Sequence, residues 1–487
     1  MPKVRCHFIS VIMKTFKTIW YIIAMFVFQF LDALKDIRMQ SLPSQSVLLG
    51  LIAIFAIIMI FFVFNLLRWW KTKIYIEGDT LIVERNQLSQ SKTTVKLSSI
   101  STVNLQQNIF EKIFDVYTLQ LDINSSVTAN KTDFSLIFED QTAFAFRDYI
   151  LSYLDNGITF NEIPSESASS HSYGMEKNSE QIISFPFKEV LRHCVLSFSF
   201  LGGVYAIAIA AAAVCAYFTS GEKTHPVFFP AVLSLFLAVI PFIYKSLTAF
   251  LLYHNFILEK NGDKVIVSYG LFTRKQFTLP LDKTNALIIR QPFQARLFNL
   301  CYGEILNVGM GGDSSQNQSP IFCLLVKPDV LQSIIHQIAP QFVLEEKEEK
   351  SPKTAMIPIL IKWGFWGILF LAGFSFFYKW WIGLILFLGF LLCGILSYTT
   401  KGLKLYEDKL SVTTGVFDKR TITASYSKIQ NTSAKYGPIS RLLKLAHGNV
   451  SILSSASNQN NSIGYFPEQV FDTIFNQTVS HDSMNKK

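Results

Sequence analysis

The residues most able to do chemistry are scattered here. The eight histidines, His7, His171, His193, His225, His254, His336, His447 and His481, fall in unrelated contexts, and the sequence has no His-Glu-x-x-His, no Gly-x-Ser-x-Gly and no Walker lysine. No catalytic residue is expected. The six cysteines, at 6, 194, 215, 301, 323 and 393, form no Cys-x-x-Cys pair, and three lie in or beside apolar runs. They read as small buried hydrophobes in a reducing compartment, so neither a metal site nor any cofactor is expected. What remains is a set of cations at matched places: Arg274, Lys275, Lys283 and Arg296, then Lys419, Arg420, Lys428 and Arg441. Such residues suit an anionic headgroup or an acidic partner surface, and they are the candidate lipid- or partner-binding residues.

Those cations belong to a repeat. Gly262, Gly270, Lys283 and Arg296 recur without a gap as Glu407, Gly415, Lys428 and Arg441 (441 − 296 = 145). An earlier copy gives Gly78, Asn86, Ser99 and Lys112 (296 − 112 = 184), keeping the register while losing two of the marked side chains. The flanking segments agree: GDTLIV, GDKVIV and EDKLSV, then YGLF and TGVF, then KIF, RLF and RLL. A repeat this long reads as duplicated whole domains.

Composition points to a membrane. Half of the 487 residues are hydrophobic, only 16% are charged, and the mean hydropathy is +0.31. The net charge of +9 is dispersed, with no basic helix or aromatic-interleaved strip, so nucleic acid is not an expected partner. Apolar runs cover Thr18 to Leu31, Ser46 to Leu67, Cys194 to Phe218, Pro226 to Tyr244, Ile357 to Tyr378 and Trp380 to Tyr398. They come as close pairs, each followed by one copy of the repeat, which predicts six transmembrane helices in three hairpins. The first run is short for a span. All seven tryptophans lie in or next to these runs, as an interfacial belt requires. Lys and Arg gather at the domain ends of the hairpins, for example Arg68, Lys71 and Lys73, or Lys401 and Lys404. The positive-inside bias then places both termini and all three domains in the cytoplasm.

Within each copy the pattern changes to alternation. In the middle copy Phe256 and Leu258, Val265 and Val267, Phe277 and Leu279, Leu287 and Ile289, Ile305, and 321–326 predict six or seven short strands. Gly270, Gly415 and Asn86 share one turn position where positive φ is expected, and GMGGD from 309 reads as a loop tip. An amphipathic helix closes each copy: Val330, Leu331, Ile334, Ile335 and Ile338; then Val470, Phe471, Ile474 and Phe475; less cleanly Phe146, Ile150, Tyr153 and Leu154. The fold class is therefore an α+β multi-domain membrane protein, each hairpin followed by a pleckstrin-homology-like (PH-like) split β-barrel capped by a C-terminal helix.

The succession of hairpin, GDxLxV strand, YGLF or TGVF turn with its basic pair, and Pro-x-x-x-Arg-Leu-Phe resembles the bacterial membrane-flanked pleckstrin-homology-like domain family of the YdbT type. The resemblance is strong in the second and third copies and diluted in the first, where Asn86 and Gln90 replace the Gly and the basic residue. It implies a cytoplasmic-membrane protein without a defined enzymatic activity, with a smaller one-domain relative as a candidate partner.

The expected division is an N-terminal segment with hairpin 1 over 1–67, PH-like domain 1 over 68–155 and a polar linker over 156–187. Hairpin 2 follows over 188–248, domain 2 over 249–340, a charged linker over 341–354, hairpin 3 over 355–399, domain 3 over 400–480 and a tail over 481–487. Both linkers are expected to be flexible or solvated tethers. Three functions compete. A scaffold would offer strand edges or grooves to protein partners or a neighbouring module. A lipid binder would use the basic pairs of domains 2 and 3. A transporter would use the six spans, although the only candidates for working intramembrane charge are Lys362, near the end of a span, and Asp32, at a boundary.

Overall fold

A computed structural model describes residues 3–13, 15–16, 44–86, 90–123, 134–156, 180–197, 225–281, 284–306, 321–344, 348–377, 380–452 and 459–484. The first apolar run, most of the third, Lys283 and the GMGGD segment lie outside the described residues. Two compact units are present, the first holding most of residues 1–173 and the second most of residues 174–487.

In the first unit a long apolar helix, α1 (Ser44–Trp70), runs directly into β1 (Thr72–Glu77). β1 pairs antiparallel with β2 (Thr80–Asn86), and β2 with β3 (Gln90–Lys96). A second antiparallel ladder, β4 (Ile100–Gln107), β5 (Val116–Ile123) and β6 (Phe134–Glu139), is interrupted after β4 by the short helix α2 (Ile109–Ile113). Helix α3 (Asp140–Asn156) closes the copy by burying Ala143, Phe146, Ile150 and Leu151 in the same core as Leu81, Val103 and Leu119. Phe138 and Phe146 stack at 4.9 Å inside it. The N-terminal segment is tied to α1, Trp69 Nε1 donating to Cys6 O at 2.6 Å and Asn65 Nδ2 to Thr15 Oγ1 at 3.2 Å.

The second unit carries the other two copies. The elements leading to the middle one are β7 (Glu180–Ser184), α4 (Phe187–Leu196) and the apolar helix α5 (His225–Tyr253). The copy itself holds β8 (Ile257–Asn261), β9 (Lys264–Tyr269), β10 (Arg274–Pro280), β11 (Ala286–Gln291), α6 (Phe293–Leu297), β12 (Cys301–Leu306), β13 (Ile321–Val326) and the cap α7 (Pro328–Ile338). Every strand expected from the alternation is present. Pro328 opens α7 at its first position, where a missing N–H costs nothing, and Leu331, Ile334, Ile335 and Ile338 are buried.

The last hairpin is α8 (Met356–Phe377) and α9 (Trp380–Thr399), preceded by β14 (Glu349–Lys350). Domain 3 follows with β15 (Gly402–Leu405), β16 (Lys409–Thr414), β17 (Lys419–Ser425), β18 (Ile429–Lys435), α10 (Pro438–Leu442), β19 (Leu445–Ile452), β20 (Gln459–Pro467) and the cap α11 (Glu468–Met484). α8 and α9 are the two described helices long and apolar enough to cross a membrane. Six spans were expected, so the described residues carry that number only in part. The apolar stretches Phe55–Trp70 and Ile240–Tyr253 are shorter by the same measure.

Two differences from the expected layout stand out. The ends of both linkers are strands rather than tethers: β7 pairs with β8, and β14 with β15. β14 and β15 bracket the last hairpin, so there the chain leaves and re-enters the sheet side by side. Domains 2 and 3, moreover, share a sheet. β11 of the middle copy pairs antiparallel with β17 of the last, from Ala286↔Ala424 to Gln291↔Lys419, giving the continuous order β13-β12-β11-β17-β16-β15-β14. The cores stay distinct because β11 is buried on both faces. Leu287 points into the core of domain 2, while Ala286 and Ile288 point into that of domain 3. The apolar run ALII is therefore a seam strand rather than a half-exposed barrel edge.

Candidate functional site

The seam between domains 2 and 3 is where the repeat motifs meet. Pro292 follows the last residue of β11, and α6 follows within the Pro-x-x-x-Arg-Leu-Phe segment. The TGVF turn of the next copy lies against it: Phe293 N donates to Asp418 Oδ1 at 3.1 Å, and the rings of Phe293 and Phe417 meet edge-on at 6.2 Å. Gly415 takes φ 130° in that turn and Gly270 φ 118° in the equivalent one, whereas Asn86, at the same position of the first copy, ends β2 paired with Gln90 and does not take a positive φ. A Cβ at Gly415 would collide with Asp418 O, so the turn that presents Phe417 and Asp418 needs glycine.

Behind this contact sits a buried charge cluster. Arg290 and Arg420 are directly opposite in the β11–β17 ladder. Glu304, 3% exposed on β12, is opposite Ile288 and forms an ion pair with Arg290, Oε1 to Nε at 2.8 Å. Burial pushes the Glu304 carboxyl up against the pull of Arg290 and Arg420. Burial, with Arg290 beside it, pulls the Arg420 guanidinium down to about 10. Two guanidiniums across one carboxylate in a partly desolvated seam hold together only as a set, because losing the carboxylate leaves like charges facing each other.

On the other face of the same two strands lies a cleft of about 640 Å³. Ile289, Gln291, Thr421 and Lys419 form its floor, with Arg296 from α6, Leu331 from α7, and Glu348, Lys350, Lys401 and Gly402 around the foot of hairpin 3. Glu348 is held there by Thr413, whose hydroxyl bonds its carboxylate, and by Ser411 at 3.3 Å. Burial, with Lys362 nearby, pulls the Lys401 ammonium down to about 8, and Lys401 lies 5.8 Å from the Tyr465 ring.

The candidate cations are therefore divided. Arg296 and Lys419 come together in the cleft, whereas Arg420 turns into the seam and joins Glu304 instead of forming a basic pair with Lys419. Arg274 and Lys275 begin β10 and are half-buried. Lys428 ends a turn of 3-10 helix before β18, Arg441 is exposed on α10, and Lys283 lies outside the described residues. Sequence reasoning missed Arg290 and Glu304. The available signal was charge inside strands, ALIIRQ and CYGEIL, that alternation alone treats as apolar. The buried cysteines behave as expected of small hydrophobes: burial pushes the Cys301 thiol up to about 12 and that of Cys323 well above its ordinary value.

Three stretches of the chain, 22–153, 197–336 and 366–478, match the bacterial PH domain profile, one per copy of the repeat. A curated relative, the UPF0699 transmembrane protein YdbT of Bacillus subtilis (strain 168), is 19% identical over 389 residues, covering 75% of this chain and 76% of that protein. No solved structure matches.

Proposed function

The chain belongs to the bacterial PH domain family, and from that footing we propose that it is a non-enzymatic membrane scaffold whose modules recognise protein through their strand edges. Its association with a membrane is supported by the transmembrane relative and by the two membrane-capable helices. The observation that carries the scaffold reading is the β11–β17 ladder, in which a PH-like module already takes a neighbouring module along its edge. β18 occupies in domain 3 the place that β11 occupies in domain 2, and among the described strands it pairs only with β19. Where β11 has Ala286 and Ile288, β18 has Asn431 and Ser433, so this edge is polar. A polar edge suits reversible pairing with a partner strand, including one from a smaller PH-like protein, better than permanent burial. The bilayer is the other partner, and the domains and both termini face the cytoplasm. Envelope maintenance or defence is the physiological setting that a multi-domain membrane scaffold of this kind fits.

A photo-crosslinking residue at Asn431 in native membranes tests the edge. The expected outcome is a discrete protein adduct from Asn431 and none from Thr473, which is exposed on the cap helix α11. Absence of an adduct at Asn431, or the same adduct from Thr473, contradicts the scaffold reading.

A further inference from the structure

In all three copies the short helix after the seam-position strand ends in an exposed apolar tip beside a cation. Ile113 is 68% exposed, Leu297 70% and Leu442 85%, at equivalent positions, and they follow Lys112, Arg296 and Arg441 directly. Phe114 and Phe298, the next residues in the first two copies, are also more than half exposed. This is not fraying. The inward residue at one register is buried each time, Glu111, Ala295 and Ser440. The chain then reverses through a left-handed residue at one register, Asp115 (φ 48°), Asn299 (φ 52°) and Lys444 (φ 53°). In the first copy Glu111 is further pinned by Thr118 Oγ1 at 2.5 Å and Asn108 N at 2.8 Å. Three times, then, the fold holds a large apolar side chain out of its own core.

What covers these tips follows from where they sit. In the first unit Phe110, on the same short helix, meets the Phe16 ring at 6.3 Å, two residues before the first apolar run begins. In the second unit Leu196, within the Cys194 to Phe218 apolar run, packs against Ala295, Leu300 and Leu325. Arg192 Nη2 donates to Leu325 O at 3.1 Å, fixing α4 there. Arg296 also lines the cleft at the foot of α9 with Thr399 and Thr400. The tips of the first two copies thus lie beside the points where apolar segments enter or leave. The tip residues differ between copies, Ile-Phe, Leu-Phe and Leu-Leu, while the preceding cation is kept. A shaped protein pocket would demand one side chain; a fluid surface asks only for an apolar group and a positive charge.

We propose that the three tips are bilayer anchors. Ile113 with Phe114, Leu297 with Phe298, and Leu442 with Leu443 seat in the boundary between headgroups and acyl chains, and Lys112, Arg296 and Arg441 meet the lipid phosphates. Each module is held to the membrane surface at a second point besides its hairpin. The inference rests on membrane association alone and is independent of the strand-edge reading.

The test uses the full chain in vesicles, with an environment-sensitive fluorescent amino acid encoded at Leu297 or Leu442 and, as a water-exposed control, at Thr473. Lipids brominated high on the acyl chain should quench the tip probes at least about twofold and leave the control unchanged, while aqueous iodide should do the reverse. Raising the anionic lipid fraction should strengthen bromolipid quenching at Leu442, and Arg441→Gln should remove that dependence. The three substituted residues are all exposed, so unchanged thermal unfolding in detergent is expected of each probe. Iodide quenching at the tips equal to the control would overturn the proposal by placing them in water. Protection from both quenchers would overturn it by placing them under protein, and bromolipid quenching that ignores both lipid charge and Arg441→Gln would overturn the role of the cations.

Discussion

At the scale of single residues, the Arg290–Glu304–Arg420 set explains why a cation that looked available for ligands is not. Arg420 stands opposite Arg290, and the shared carboxylate of Glu304 relieves the repulsion. Glu304→Gln should lower the stability of the detergent-solubilised chain by about 2–4 kcal/mol, since it leaves two facing guanidiniums partly buried. Adding Arg420→Gln to that variant should recover part of the loss, a coupling that thermal unfolding of the single and double variants measures. His447 gives a second, pH-dependent expectation. Burial first, with Lys401 beside it, pulls its imidazole down to about 4, and the ring stands 3.2 Å from Ser462 Oγ. The unfolded chain, with an ordinary histidine near 6.5, binds the extra proton between those values. Stability should therefore fall as pH drops from about 6.5 towards 4 and be fully present above that window. His447→Asn should flatten this slope in a series of melting curves.

At the scale of elements, much was legible. Strands, cap helices and the turn glycines follow from period and from residues tolerant of positive φ, because each reports its own local environment. The amphipathic stripe of α7 and the Pro328 start are of this kind. The pairing of β11 with β17 was not legible, because alternation cannot say which neighbour lies across an edge. A buried edge and a central strand both ask for the same apolar residues, as ALII in β11 shows. The linker strand β14 escaped for the opposite reason: Glu349 and Lys350 are exposed side chains ordered by backbone pairing with Leu403 and Gly402 and by the Lys404 ammonium 3.6 Å from Glu349. One feature the repeat does preserve is a pair of equivalent glycines, Gly303 and Gly448, each with an aromatic ring in the space a Cβ would fill, Phe322 in one and Phe471 in the other. Both rings are fully buried and cannot retreat. Gly303→Ala and Gly448→Ala should each cost about 1–3 kcal/mol, read as a lowered melting temperature, whereas Gly262→Ala, with open space around its Cβ, should cost little beyond its turn strain.

At the scale of the molecule, the second unit is two modules welded through one sheet. The repeated YGLF/TGVF and Pro-x-x-x-Arg-Leu-Phe segments, whose charges suggested a ligand, meet each other at that weld in the one instance where both halves lie in the second unit. Of the remaining candidate cations, Arg296 and Lys419 line the cleft and Arg441 stands at a tip. A membrane-associated member of the bacterial PH domain family thus joins two of its modules edge to edge, and the proposed scaffold function rests on that use of an edge. The most direct test is disulfide trapping of the register in native membranes, with Ile289→Cys and Thr421→Cys in a Cys301→Ser background. These two residues are opposite one another and share the cleft face. Mild oxidation should join them within one chain, while Ile289→Cys with Ser425→Cys, four residues out of register, should not bridge. Failure of the first pair to form, or equal bridging by the second, would contradict a shared sheet and with it the use of the edge that the proposed function depends on.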